Sequence, residues 1–158
     1  MQLHRIDPKV PVEDQVGELA KLREEGKIRF IGLSEVTVAQ LRAAAEITPI
    51  ATVQNLYNLA NRSAEELLDF SAANGIGFIP WFPLATGQLA KPGSPLAALA
   101  AQRGASPSQL ALAWLLHRSP VMLPIPGTAS IAHLEDNVAA AGIALSEREY
   151  VALEDAVR

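Results

Sequence analysis

Short, nearly unbroken apolar runs alternate along the chain with longer segments in which apolar side chains recur every three or four residues. Ile28 to Ser34, Ala51 to Gln54, Gly77 to Phe82 and Val121 to Ile125 read as strands, and each is followed by an amphipathic stretch that reads as helix. Strand followed by helix, repeated, predicts an α/β fold on a parallel sheet. The strand runs are apolar throughout and do not alternate, so both sheet faces are expected to be covered, leaving little wet surface.

Helix starts carry their own marks. Thr37/Gln40, Ser63/Glu66, Ser106/Gln109 and Ser146/Glu149 each have the spacing of a capping box, in which two side chains satisfy the free amides of a first helical turn reciprocally. Pro107 suits a first helical position because its missing N–H costs nothing there, and Gly26 and Gly75 suit left-handed caps. The first helix shows one apolar side, Val12, Val16, Leu19 and Leu22, with Glu13 and Asp14 early and Lys21 and Arg23 late, as the helix dipole favours. Two helical segments, about Pro95 to Arg103 and Ser106 to His117, precede the last strand run; two more, about Ile131 to Ala140 and Ser146 to Val157, follow it.

Met1-Gln2-Leu3-His4 reads as the tail of a buried strand with nothing before it. With it the count is about five strands, whereas a closed parallel barrel needs eight. The pattern is that of a single, N-terminally truncated domain without linker or internal repeat.

Composition narrows the partners. Of the 158 residues 49% are hydrophobic and 19% charged, which is globular, and a net charge of −4 gives no basic surface for nucleic acid or an anionic membrane. The longest clean apolar run, Leu110 to Leu116, falls far short of the roughly 20 residues that cross a bilayer, and the N-terminus lacks a signal pattern, so a cytoplasmic location is expected. No cysteine is present and no pair of histidines has ligand spacing, so no metal is expected.

In parallel α/β folds ligands bind where strands end. Those places are His4-Arg5, Ser34-Glu35, Gln54-Asn55, Trp81-Phe82 and Pro126-Gly127-Thr128. His4 is the histidine at a strand end and the catalytic candidate; His117 lies late in a helix and His133 in a first turn. The run Pro126 to Ser130 leads directly into a helix, whose free amides and positive dipole end suit a phosphate, although a plain turn with Ser130 as N-cap has the same signature. Ser34 and Gln54 by themselves suit backbone satisfaction as well as ligand binding.

Together, Gln2-Leu3-His4-Arg5, Gly26 to Ser34, Val53 to Asn58, Pro80 to Leu84 and Ile125 to Thr128 resemble, in order and spacing, the aldo-keto reductases from the fourth barrel strand to the C-terminus. The resemblance implies the C-terminal portion of a (β/α)8 TIM barrel and an NAD(P)H-dependent oxidoreductase that reduces aldehydes or ketones. It implies that His4 belongs to the family's Asp, Tyr, Lys, His tetrad, and that Ser34 and Gln54 hold the nicotinamide carboxamide while Trp81 lies flat on the ring. It further implies that Leu84 and Thr86 line the pyrophosphate, that Gly127, Thr128 and Ala129 meet the adenosine phosphate, and that Asp136 and Asn137 reach the adenine. The partner implied is a small-molecule carbonyl substrate.

Three positions depart from the family pattern. Glu35 stands where many members have a carboxamide-contacting Asn, His133 where NADPH-preferring members carry Arg, and Gly127 where some carry Lys. The cofactor implied is therefore NADP(H) by family habit, with NAD(H) as the alternative, because histidine is largely neutral at pH 7 and arginine is not. The tetrad Asp, Tyr and Lys belong to strands before this segment, so the 158 residues alone are expected to have negligible reductase activity. The alternative reading is a non-catalytic dinucleotide-binding half-barrel that self-associates through open edges.

Overall fold

The computed structural model describes residues 1–85 and 93–157. They form two compact units, Met1–Asn55 with Ala64–Ile79, and Leu56–Ser63 with Pro80 onward.

The first unit carries the sheet. Strands β1 (Gln2–Leu3), β2 (Ile31–Ser34), β3 (Ile50–Leu56) and β4 (Gly77–Trp81) lie in that order, and the β1–β2 and β2–β3 pairings are parallel. Helices α1 (Val12–Glu24), α2 (Val38–Ile47) and α3 (Glu65–Ala73) make the crossovers, as parallel pairing requires. Val16, Leu33, Leu41, Val53, Leu68 and Phe78 are fully buried and form the core.

Side chains alternate faces along β2 and β3. Leu33 and Val53 are register partners and both belong to the core, so Gly32 with Thr52, and Ser34 with Gln54, share the opposite face. Across Gly32 the Gln2 side chain reaches from β1 to β3, accepting from Thr52 Oγ1 at 3.1 Å while its Nε2 donates to the Leu33 carbonyl at 3.1 Å. A Cβ at position 32 would lie 2.3 Å from both Gln2 Oε1 and Thr52 Oγ1, so glycine is what lets that bond pass over the strand.

The second unit is helical among its described residues: α4 (Pro95–Arg103), α5 (Pro107–Arg118), α6 (Ile131–Ala139), a 3₁₀ turn (Ala140–Gly142) and α7 (Glu147–Asp155). Leu110 to Leu115 of α5 are all buried, so this helix is wrapped on every side and forms the centre of the unit. Trp114 is stacked between Tyr57 and Tyr150, with ring centroids 5.8 and 5.7 Å away, and the Arg62 guanidinium lies 4.7 Å above its ring. Arg62 also pairs with Glu154, and His117 packs against Tyr150 at 4.9 Å. Arg103 ties α4 to α7 through Glu149 at 3.0 Å and the Ala144 carbonyl at 2.7 Å.

Three of the four expected capping boxes form, at Thr37/Gln40, Ser106/Gln109 and Ser146/Glu149, and Pro107 opens α5. Ser63 and Glu66 do not form one. The Ser63 hydroxyl donates instead to Asn61 Oδ1 at 2.8 Å, and α3 starts a residue later behind Ala64 with no side-chain cap. Gly26 and Gly75 take positive φ of 73° and 66° just past their helices.

Two strand expectations need correction. The second strand starts at Ile31, not Ile28, because the Lys27 and Ile28 amides turn back to the Leu22 carbonyl to close α1. Val121 to Ile125 is not a strand among the described residues: it carries a single bridge position at Met122, and a strand exists only through a pairing ladder. The sheet therefore has four strands where about five were expected. Nor is the apolar surface fully covered: β2 is buried throughout, but Phe30, Leu123 and Ile125 are exposed.

Candidate functional site

In the first unit three of the expected positions lie on or just past neighbouring strands. His4 lies one residue past β1 and is exposed; Ser34 ends β2 and is 6% exposed; Gln54 lies in β3 and is half-buried. Ser34 and Gln54 are direct register partners, so the ladder brings their side chains to one face, within about 5 Å strand to strand. A hydroxyl and a primary amide together offer donors and acceptors at one point, a set that complements another carboxamide.

The backbone beyond Ser34 is held in an unusual shape. Glu35 has φ 54°, a left-handed conformation uncommon outside glycine, asparagine and aspartate, and its amide donates to the Gln54 carbonyl at 2.9 Å. Asn55 then clamps Val36 on both sides, accepting from its amide at 3.2 Å and donating to its carbonyl at 3.0 Å. Neither Asn55 nor Gln2 was assigned a role by the sequence pattern. Their part depends on backbone groups 19 and 31 residues away in the chain.

In the second unit Trp81, the last residue of β4, is half-buried and packs at 5.9 Å against Phe82. Phe82 and Ala85 both have positive φ, and buried Asn58 holds the turn by donating to the Phe82 carbonyl at 3.0 Å. Leu84 is half-buried; Thr86 lies outside the described residues. Gly127, Thr128 and Ala129 are exposed and run into α6, where the Ser130 hydroxyl accepts from the His133 amide at 3.4 Å and Thr128 Oγ1 accepts from the Ser130 amide at 3.1 Å. His133 is exposed, while Asp136 and Asn137 are half-buried. Asp136 has a partner that sequence spacing did not reveal: Ser106 Oγ donates to its carboxylate at 2.7 Å.

Among the described residues no cluster of three potential metal ligands occurs, and no helix is long and apolar enough to cross a membrane.

A parallel sheet with crossover helices and polar side chains at its strand ends defines an α/β protein. The aldo/keto reductase family model matches residues 1–158, and the chain belongs to that family. An uncharacterised oxidoreductase of Schizosaccharomyces pombe is 54% identical over 98% of this chain and 50% of its own length. Pyridoxine 4-dehydrogenase of Escherichia coli is 46% identical over 86% of this chain and 47% of its own length. A crystal structure of an aldo/keto reductase from Klebsiella pneumoniae in complex with NADP and acetate matches with a TM-score of 0.87 and 35% identity, over 98% of this chain and 56% of that one. The chain thus spans about half the length of the curated relatives it matches.

Proposed function

We propose that these residues carry the nicotinamide-dinucleotide positions and one substrate-facing residue of an NAD(P)H-dependent reductase of aldehydes or ketones. The observation that carries this reading is the register pairing of Ser34 with Gln54. When bound, the reduced nicotinamide supplies hydride to a carbonyl carbon. Ser34 and Gln54 hold the carboxamide, and the Trp81 indole lies against the ring and fixes which face is presented. His4, on the face continued from Gln2, directs an imidazole N–H at the carbonyl oxygen and orients it. Proton delivery falls to tetrad partners that family resemblance places outside these 158 residues.

In the second unit, Gly127, Thr128 and Ala129 lead to the start of α6, whose dipole favours a phosphate. Asn137 and Asp136 serve the adenine end, Leu84 and Thr86 the pyrophosphate. His133 takes the place where NADPH-preferring members of the family carry a fixed positive charge, so NADP(H) stands by family habit with NAD(H) as the alternative.

The test is titration of the chain with NADPH and NADH by tryptophan fluorescence. Trp114 is fully buried between two tyrosine rings and is an insulated control. Saturable quenching that disappears in Trp81→Ala supports the site; no saturable signal from folded protein removes it.

A second reading, a non-catalytic half-barrel that associates with itself, draws on one observation. Helix α6 buries none of its residues, and Ile131, Leu134 and Val138, spaced along one side, are exposed by 77, 53 and 67%. Sedimentation showing only monomer across the accessible concentration range would sink this reading.

A further inference from the structure

Helix α6 has no fully buried side chain, so its rotation and register rest on a few directed contacts. Two of them converge on Asp136 from the start of α5. The Ser106 hydroxyl accepts from the Gln109 amide at 3.1 Å, capping α5, and spends its single proton on Asp136 Oδ2 at 2.7 Å. Gln109 Oε1 accepts from the Ser106 amide at 2.9 Å, completing the box, while its Nε2 donates to the Asp136 carbonyl at 3.2 Å. That carbonyl thus accepts from outside its own helix. The Ala140 amide, which would bond it in a continuing α-helix, turns to Asn137 and Val138 where the chain tightens into the 3₁₀ turn. One capping box therefore starts α5 and grips α6 through both the side chain and the main chain of a single residue.

We infer that Asp136 is a positioning residue, held by Ser106 and Gln109, that sets the orientation in which α6 offers His133 and Asn137 to the adenosine end of a nicotinamide dinucleotide. This rests on the nucleotide reading above and adds one part to it: the Asp136 carboxylate seats the helix through Ser106. An exposed helix carrying a recognition residue on each of two turns must be held in rotation, because a residue one position away points about 100° elsewhere.

The experiment separates the two jobs of Ser106. Aspartate caps a helix as well as serine does, so Ser106→Asp keeps α5 capped while replacing the donor to Asp136 by a like charge. Ser106→Thr keeps both cap and donor. Dissociation constants for NADPH and NADH are measured for wild type, Ser106→Asp, Ser106→Thr, Asp136→Asn and the Ser106→Asp/Asp136→Asn pair, with thermal unfolding in parallel. We expect Ser106→Asp to weaken both cofactors at least fivefold with little change in Tm, Ser106→Thr to bind within twofold of wild type, and the double variant to be no weaker than Ser106→Asp alone. Wild-type affinity in Ser106→Asp, or losses that multiply in the double variant, overturns the inference and leaves the nucleotide site standing. No saturable binding of either cofactor to folded wild type overturns the nucleotide reading and this inference with it.

Discussion

Ser34 and Gln54 are register partners on adjacent parallel strands, and the amide of the residue after Ser34 donates to the Gln54 carbonyl at 2.9 Å. The pairing fixes the spacing of a hydroxyl and an amide. If they receive a carboxamide, each supplies about one net hydrogen bond, roughly 0.5–1.5 kcal/mol. Gln54→Ala should therefore weaken NADPH by about two- to tenfold and Ser34→Ala by no more. Fluorescence titration of the folded variants measures this, and unchanged affinity in both would remove them from the site.

Gly32 should not tolerate a side chain. Alanine there puts its methyl 2.3 Å from both ends of the Gln2–Thr52 bond, which has to break or shift. Gly32→Ala is expected to cost about 1–3 kcal/mol, the range for leaving partly buried polar groups unpaired. Urea unfolding reads the cost, and a midpoint equal to wild type would show that the crossing bond contributes nothing.

Glu35 is the opposite case. Its φ of 54° places an ordinary L side chain in a region that costs about 1–2 kcal/mol. Glu35→Gly should recover about 1 kcal/mol of stability as a raised unfolding midpoint, less whatever its side chain contributes. A clear loss of stability would mean that the carboxylate's own contacts outweigh the backbone strain.

The Arg62, Tyr150 and Glu154 cluster contributes to the pH dependence of the second unit. Burial pushes the Glu154 carboxyl up, but Arg62 and the Tyr150 hydroxyl outweigh it and hold it below the ordinary value of 4.5. A depressed carboxyl stabilises the fold above the unfolded value and loses that contribution as pH falls below about 4.5. Tyr150 is pushed up to about 12, first by burial and then by the Glu154 charge. Its contribution is complete below the ordinary value of 10 and is lost as pH rises from there toward 12. Glu154→Gln should flatten the acid limb and lower stability at pH 7 by about 1–3 kcal/mol, since it strips Arg62 of its partner. Thermal unfolding from pH 3 to 11 follows both limbs; an acid limb unchanged in Glu154→Gln would place the acid sensitivity elsewhere.

Elements with local causes were legible from the sequence alone. Helices α4 to α7 begin within a residue and end within two residues of expectation, because a capping serine, a proline at the first turn and an apolar period are all read within one helix. The α/β class and the strand-end positions of Ser34 and Trp81 follow from the same local order, whereas β3 runs two residues past Gln54, where the strand was expected to end. Tertiary structure decided whatever depends on a partner distant in sequence. An apolar run such as Val121 to Ile125 becomes a strand only where another backbone lies beside it. Ser63 has the spacing of a cap, but Asn61 competes for its hydroxyl and wins. Ser106 and Asp136 stand 30 residues apart, and no periodicity in either helix encodes that the hydroxyl capping one also holds the other. A hydrogen bond needs two groups within about 3 Å, and only the folded chain sets that distance.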